Sequence, residues 1–306
     1  MEITSSSPRQ LLTRCVLLFV VVFVSGCSAG RTPVPVGFIP QEAYVTAEDE
    51  EFGHQVLSQL SRSYPLERDD QAIERVRGLV SRLATAAHAD QHPWNVFVLR
   101  GDEVVNAAAT RGNYLFVWTG MLHKATTDGE LATVISHELG HLLAGHTKPT
   151  PMEEASAIMA QASGNIAGQI VSTQPGYAPL AQLAAVLVSE GMKAVFVNPG
   201  SQRLELEADQ IGFFLMAEAG YDPREALNFW GTMSEDPNNS GEGIQFLSSH
   251  PASSERLETL NQLLPQALER YKQSGGVTGG ATTPQPPLRD EVDSFAIETP
   301  VPARNP

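Results

Sequence analysis

Residues 134–146 read VISHELGHLLAGH and set His137, Glu138, His141 and His146 among leucines, alanines and glycines. Imidazole nitrogens are costly on a buried helix unless they find polar partners. At about 100° per residue, Leu131, Ile135, Leu139 and Leu142 gather on one helix face. His137 and His141 lie on the opposite side, one turn apart. Two imidazoles so placed can both reach a single ion at about 2.0–2.1 Å, a distance that suits zinc. Glu138 points about 100° away from His137, beside the pair, where it can take a proton from an attacking water. This is the H-E-x-x-H arrangement. Thr127 or Asp128 can cap the helix, and Glu130 sits in its first turn. Gly140, Ala144 and Gly145 keep nearby turns slim, so another segment can approach closely.

A catalytic zinc takes three protein ligands and keeps a fourth position open. His146 is a poor third ligand. The long pattern H-E-x-x-H-x-x-G-x-x-H needs glycine at 144 and histidine at 147, and the chain has Ala144 and Thr147 there. His146 then points off the zinc face and reads as a helix C-terminal residue favoured by the dipole. Residues 203–209, RLELEAD, offer a better source. Glu205 and Asp209 are four apart and share a face, with Leu204, Ile211, Phe214 and Leu215 on the other. Glu205 is either the third ligand, supplied by a helix crossing that of His137, or part of a solvated acidic face, and spacing does not choose. Asp209 could hydrogen-bond a ligand imidazole from behind. Glu207 reads as solvated.

These residues need elements to hold them. Apolar residues recur at helical spacing in 48–64 (Phe52, Val56, Leu60) and 67–89 (Ile73, Val76, Leu79, Val80, Leu83). A strand zone follows. WNVFVL (94–99) and YLFVW (114–118) are β-branched and aromatic, with a possible third strand over 103–108 and a turn at 111–113. This predicts a small antiparallel sheet. Helical patterns then return near 127–146, 153–172, 179–194, 201–219, 223–234 and 252–273. Gly176, Pro199, Gly220 and Pro223 separate them. From Ser274 the text is Gly-, Thr- and Pro-rich and cannot bury a core, so a disordered tail is expected over 273–306. No internal repeat marks a second docking domain.

The net charge of -15 over 306 residues is the wrong sign for a nucleic-acid partner. The N-terminus is a leader. Arg9 and Arg14 form a basic region, and CVLLFVVVFV (15–24) is apolar but too short to span a bilayer. The ending VSGC resembles the lipobox of bacterial lipoproteins, with 1–26 removed and Cys27 lipidated. Residues 27–47, rich in Pro, Gly and small residues, read as a tether. With Cys15 lost and Cys27 consumed, no thiolate site or disulfide is available.

HELGH followed by E-x-x-A-D at 205–209 resembles the gluzincin metallopeptidases that include HtpX, BepA and the CAAX prenyl endopeptidases. TGML (119–122) leading into DGELATVISHELGH, and SSHPASSERLETL (248–260) with His250 and Arg256, agree with that likeness, which covers about 48–272. The resemblance implies an α+β, mostly α-helical zincin-like domain with a small antiparallel sheet. It implies one zinc per chain on His137, His141 and Glu205, with Glu138 as general base and acid. It also implies that His250 can be a regulatory fourth ligand, although His250 could equally cap the helix starting near Ala252. An edge strand, Val104, Val105, Asn106, Ala107 and Ala108, would align the substrate backbone. Long apolar spans are absent after residue 24. The segments around 153–194 are broken by polar residues, so a prenylated substrate is not expected.

The expectation is a zinc endopeptidase, lipid-anchored in the periplasm and degrading misfolded or unfolded envelope proteins. Ser28 is not the aspartate associated with inner-membrane retention, which favours the outer membrane. The competing readings are a zinc-stabilised, chaperone-like binding scaffold and a cell-wall peptide hydrolase. The intact Glu138 argues against a pure scaffold. His54, His88, His92 and His123 are scattered and read as surface residues.

Overall fold

A computed structural model describes residues 32–41, 45–148, 202–235, 246–247, 250 and 253–276. The leader with Cys27, the expected helices over 153–194 and the tail beyond 276 lie outside the described residues. From Pro33 onward the described residues belong to one unit, Pro33–Lys148 with Gly168–Pro306, and the other unit contributes only Thr32 to them.

Two helices open the domain, α1 (Ala47–Ser63) and α2 (Asp70–Ala86). Thr46 and Asp49 start α1 with a reciprocal capping box, and Asp69 caps α2. Strands β1 (Asn95–Leu99), β2 (Ala107–Thr110) and β3 (Tyr114–Trp118) follow, then a short α3 (Thr119–Lys124). The remaining described helices are α4 (Asp128–Leu143), α5 (Gln202–Glu218), α6 (Pro223–Glu235) and α7 (Ser254–Gln273). Architecture and class agree with the sequence reading: mostly helical, with a three-stranded sheet.

The sheet differs in one respect. Its order is β1-β3-β2, with β2 antiparallel to β3 but β1 parallel to it. It is therefore mixed rather than purely antiparallel. Alternation in a strand does not specify neighbours, and the chain from Leu99 to Ala107 is long enough to cross a slot that β3 then fills. Burial explains why the parallel pair is tolerated. On one face Val96, Val98, Leu115 and Val117 join the main core with α2 and α4. On the other, Leu99, Tyr114, Phe116 and Trp118 pack with Val56 of α1. The turn between β2 and β3 uses Gly112 (φ 87°) and Asn113 (φ 57°), residue types that accept left-handed backbone.

Two further expectations need correction. The third strand begins at Ala107, not near 103, because Val104 turns back with its N–H on Gly101 O and buries its side chain under Trp118. The tether expected over 27–47 is not free along its described part. Ile39 is buried in the core, the Val34 N–H donates to Glu207, and the Gly37 carbonyl accepts from Arg270 of α7. Among the described residues no helix is long and apolar enough to cross a membrane.

Candidate metal centre

Helix α4 starts with a Thr127/Glu130 capping box and is buried over nearly its whole length. It crosses α5 at backbone contact. A Cβ on Gly140 would fall 2.6 Å from the Ala208 carbonyl oxygen, and one on Gly212 would fall 2.8 Å from the His137 nitrogen. Glycine at both positions lets the helices touch. That contact brings Glu205 and Asp209, one turn apart on α5, beside His137 and His141 on α4.

Four donors converge there: His137 Nε2, His141 Nε2, the Glu205 carboxylate and His250 Nδ1. His137 Nε2 lies 3.1 Å from His141 Nε2 and 3.2 Å from His250 Nδ1. Glu205 oxygens lie 3.4 Å from His137 Nε2, 3.4 Å from His141 Nε2 and 3.1 Å from His250 Nδ1. A tetrahedral zinc with bonds of about 2.05 Å has donor–donor edges of about 3.3 Å. The five edges here match that figure, and two imidazole nitrogens with a carboxylate are zinc's ordinary partners. The residues therefore fit the ion. Glu205, open at sequence level, is buried beside the histidines rather than on a solvated face. The capping alternative for His250 does not hold: Ser253 caps α7, its side chain accepting from Arg256 N–H.

Glu138 sits next to the cluster. Burial raises its pKa above the ordinary carboxylate value, and nearby His250 and His137 oppose the rise. Its Oε1 is buried and makes no hydrogen bond, although His250 Nε2 stands 3.3 Å away. The Ala109 N–H of β2 hydrogen-bonds to the carboxylate. The His250 ring thus lies between the donor cluster and Glu138, stacked on Phe246 with centroids 4.6 Å apart.

The two helical imidazoles are held from behind by different groups. His137 Nδ1 is 2.9 Å from Asp209 Oδ1, as the sequence suggested. Asp209 in turn receives Arg256 Nε at 2.6 Å and Nη2 at 2.8 Å, and Arg256 Nη1 also reaches the His250 carbonyl at 3.2 Å. Burial disfavours charge on Asp209, but Arg256 and His137 outweigh it and hold its pKa low. Burial likewise opposes charge on His137, yet Asp209 and Glu205 win and raise its pKa to about 9. On Glu205 the hydrogen bonds of His137 and His250 overcome burial and lower the pKa. His141 goes the other way: burial, then the neighbouring His137 and His250, push it well below the usual histidine value.

His141 Nδ1 faces His146 Nδ1 at 3.0 Å. His146 Nε2 lies 3.6 Å from Glu207 Oε2, and Glu207 Oε1 accepts the Val34 N–H at 2.5 Å. Helical projection missed both residues. His146 is not on the helix: α4 ends at Leu143, and Glu207 is buried rather than solvated. The signal available was Gly145, which marks a helix end. Arg256 was visible in the sequence without its role, and Phe246 was missed outright.

The expected substrate strand is only partly a strand. Ala107 and Ala108 lie in β2, at the sheet edge, while Val104, Val105 and Asn106 precede it. Trp118 N–H donates to Asn106 O, so 106, 108 and 110 pair with β3 and the backbone groups of 105, 107 and 109 point outward. The Val105 carbonyl already accepts the Phe246 N–H at 3.1 Å. Of the four scattered histidines, none is buried.

Residues 70–264 match the sequence profile of Peptidase family M48. The mitochondrial metalloendopeptidase OMA1 of Arabidopsis thaliana is 32% identical over 217 residues, which cover 69% of this chain and 41% of the relative. Its namesake in Saccharomyces cerevisiae is 30% identical, covering 59% and 50%. The beta-barrel assembly-enhancing protease of Escherichia coli strain K12 is 25% identical, covering 72% and 46%. The chain spans about half the length of these curated relatives.

Proposed function

The chain belongs to Peptidase family M48; from that premise we propose that it is a zinc metalloendopeptidase in which His137, His141 and Glu205 hold the ion and Glu138 moves the proton. The observation that carries this reading is the convergence of His137, His141, Glu205 and His250, with five donor–donor distances of 3.1–3.4 Å, beside the buried Glu138 carboxylate. Zinc, when bound, supplies a Lewis acid that polarises a peptide carbonyl and acidifies water. Glu138, its basicity raised by burial, takes a proton from the attacking water and returns it to the leaving amine. Asp209 fixes the His137 ring, and Arg256 keeps Asp209 ionised. The outward backbone groups of Ala107 and the outward Ala109 carbonyl offer a short edge on which a substrate strand can pair, the Ala109 N–H being held by Glu138.

His250 occupies the fourth corner and is a resting-state ligand that a substrate must displace. The Phe246 N–H on Val105 supports this, because the same segment also engages the strand edge.

The protein acts in the bacterial envelope, lipid-anchored at Cys27, on unfolded or misfolded proteins, with the outer membrane favoured by Ser28. The VSGC sequence and the likeness to a protease named for β-barrel assembly support this. Mass spectrometry of the membrane-extracted protein should find a modified N-terminal Cys27; an unmodified residue, or another start, refutes the anchor.

The deciding assay incubates lipid-free Ser28–Pro306 with zinc and an unfolded model protein, beside Glu138→Gln. Cleavage should fall by about 10²–10⁴-fold in the variant while zinc stays bound. Equal cleavage by both would remove Glu138 from the chemistry. His250→Ala should raise cleavage sharply, and unchanged or lost activity would end the resting-ligand idea.

A further inference from the structure

Helix α4 ends in a way that brings a fourth histidine, His146, to the centre. Gly145, at φ 70°, takes the left-handed position after the Ala144 cap. The Gly145 N–H donates to Leu142 O at 3.0 Å and the His146 N–H to His141 O at 2.8 Å. This paired bonding pattern ends a helix by folding the next residue back over its last turn. The residue folded back is His146, and the carbonyl it caps is that of His141 itself. Backbone and side chain of His146 therefore both engage His141.

The side-chain contact has a direction. When Nε2 of an imidazole serves as a metal ligand, its proton resides on Nδ1. His141 Nδ1–H then donates across 3.0 Å to His146 Nδ1, and the His146 proton is left on Nε2, facing Glu207 Oε2 at 3.6 Å. The other Glu207 oxygen is fixed by the main-chain N–H of Val34, which stands between Pro33 and Pro35. The His146 side chain is 4% exposed and that of Glu207 10%, so neither is a solvated surface group.

We propose that His146, backed by Glu207 and the Val34 N–H, is the positioning residue for the zinc ligand His141, as Asp209 backed by Arg256 is for His137. This rests on the metal centre proposed above. His146 touches neither substrate nor ion. Its work is to fix the tautomer and ring plane of His141, and partners of this kind are worth about 10–100-fold in metal affinity.

The test measures zinc affinity of the full-length protein by competition with a chelator, alongside the melting temperature of the metal-free protein. His146→Phe keeps an aromatic ring but offers no acceptor. Its zinc affinity should fall about tenfold or more with little change in metal-free melting. His146→Gln, which restores an acceptor, should recover part of the loss, and Glu207→Gln should fall between. Wild-type affinity in His146→Phe would overturn the proposal. So would equal losses in the Phe and Gln variants that track a lowered metal-free melting temperature. If the wild type takes up no zinc, the centre itself is refuted and the relay with it, an outcome distinct from both others.

Discussion

The two histidines of α4 are one turn apart on one helix, yet their supports differ in kind. His137 leans on a carboxylate gripped by a buried guanidinium, deep between α4, α5 and α7. His141 leans on a second imidazole at the capped C-terminal end of the helix, near the N-terminal strap formed by residues 33–39. The charged support raises the His137 pKa, whereas His141 is lowered by burial and by the histidines beside it. Without the ion, His137 therefore holds its proton far more firmly than His141 does. Identical side chains at helical spacing can differ this much because what sits behind them comes from other segments.

The strongest way to break the contrast is to remove the guanidinium. Arg256→Met leaves the buried Asp209 carboxylate with only His137 opposite it and should destabilise the metal-free protein by about 3 kcal/mol in denaturant unfolding. The matching change on the other side, Glu207→Gln, should cost only about 1 kcal/mol, since it deletes no buried counter-charge. Equal costs would mean that the two supports are equivalent after all.

Acidity sharpens the contrast further. The His137 pKa is raised in the folded state, so its proton stabilises the metal-free fold fully below about pH 6.5, and this contribution fades as pH climbs to about 9. Zinc must displace that proton. Affinity should therefore rise with pH until about 9, by up to about tenfold per unit, and calorimetry in two buffers should detect release of a proton on binding. Asp209→Asn should reduce that proton release, whereas His146→Phe should leave it in place. A pH-independent affinity would refute the assignment. The smallest effect on zinc binding is expected from Gly145→Ala. It forces a β-carbon into left-handed backbone at a cost of about 1–2 kcal/mol, and it should weaken zinc binding through the His141 side alone, with proton release unchanged.

Much of this centre could be read from the chain. The spacing of His137, Glu138 and His141 is local, and a helix turns it into geometry directly. Glu205 and Asp209 were legible as a pair, but their burial depends on the crossing of α4 and α5, which Gly140 and Gly212 permit and which no single-helix pattern reports. The described helices were readable within a few residues, and caps such as Thr46, Thr127 and Ser253 mark their starts. The partner order of the strands was not readable, because alternation describes faces and not neighbours. His146 and Glu207 were misread for one reason. A wheel extended past Leu143 rotates His146 away from its true place, and Glu207 looks solvated until His146 and Val34 cover it.

The docked strap bears on where the enzyme can work. A free leash from Cys27 to Ala47 would stretch to about 70 Å, but with Pro33 to Ile39 fastened to the domain only the steps from Cys27 to Pro33 remain, at most about 20 Å. A lipid on Cys27, as proposed above, would confine the domain to a thin layer against the bilayer. Its diet would then be set by altitude as much as by sequence: chains that emerge at, or stall on, the membrane surface would come within reach, and those diffusing freely beyond that layer would not.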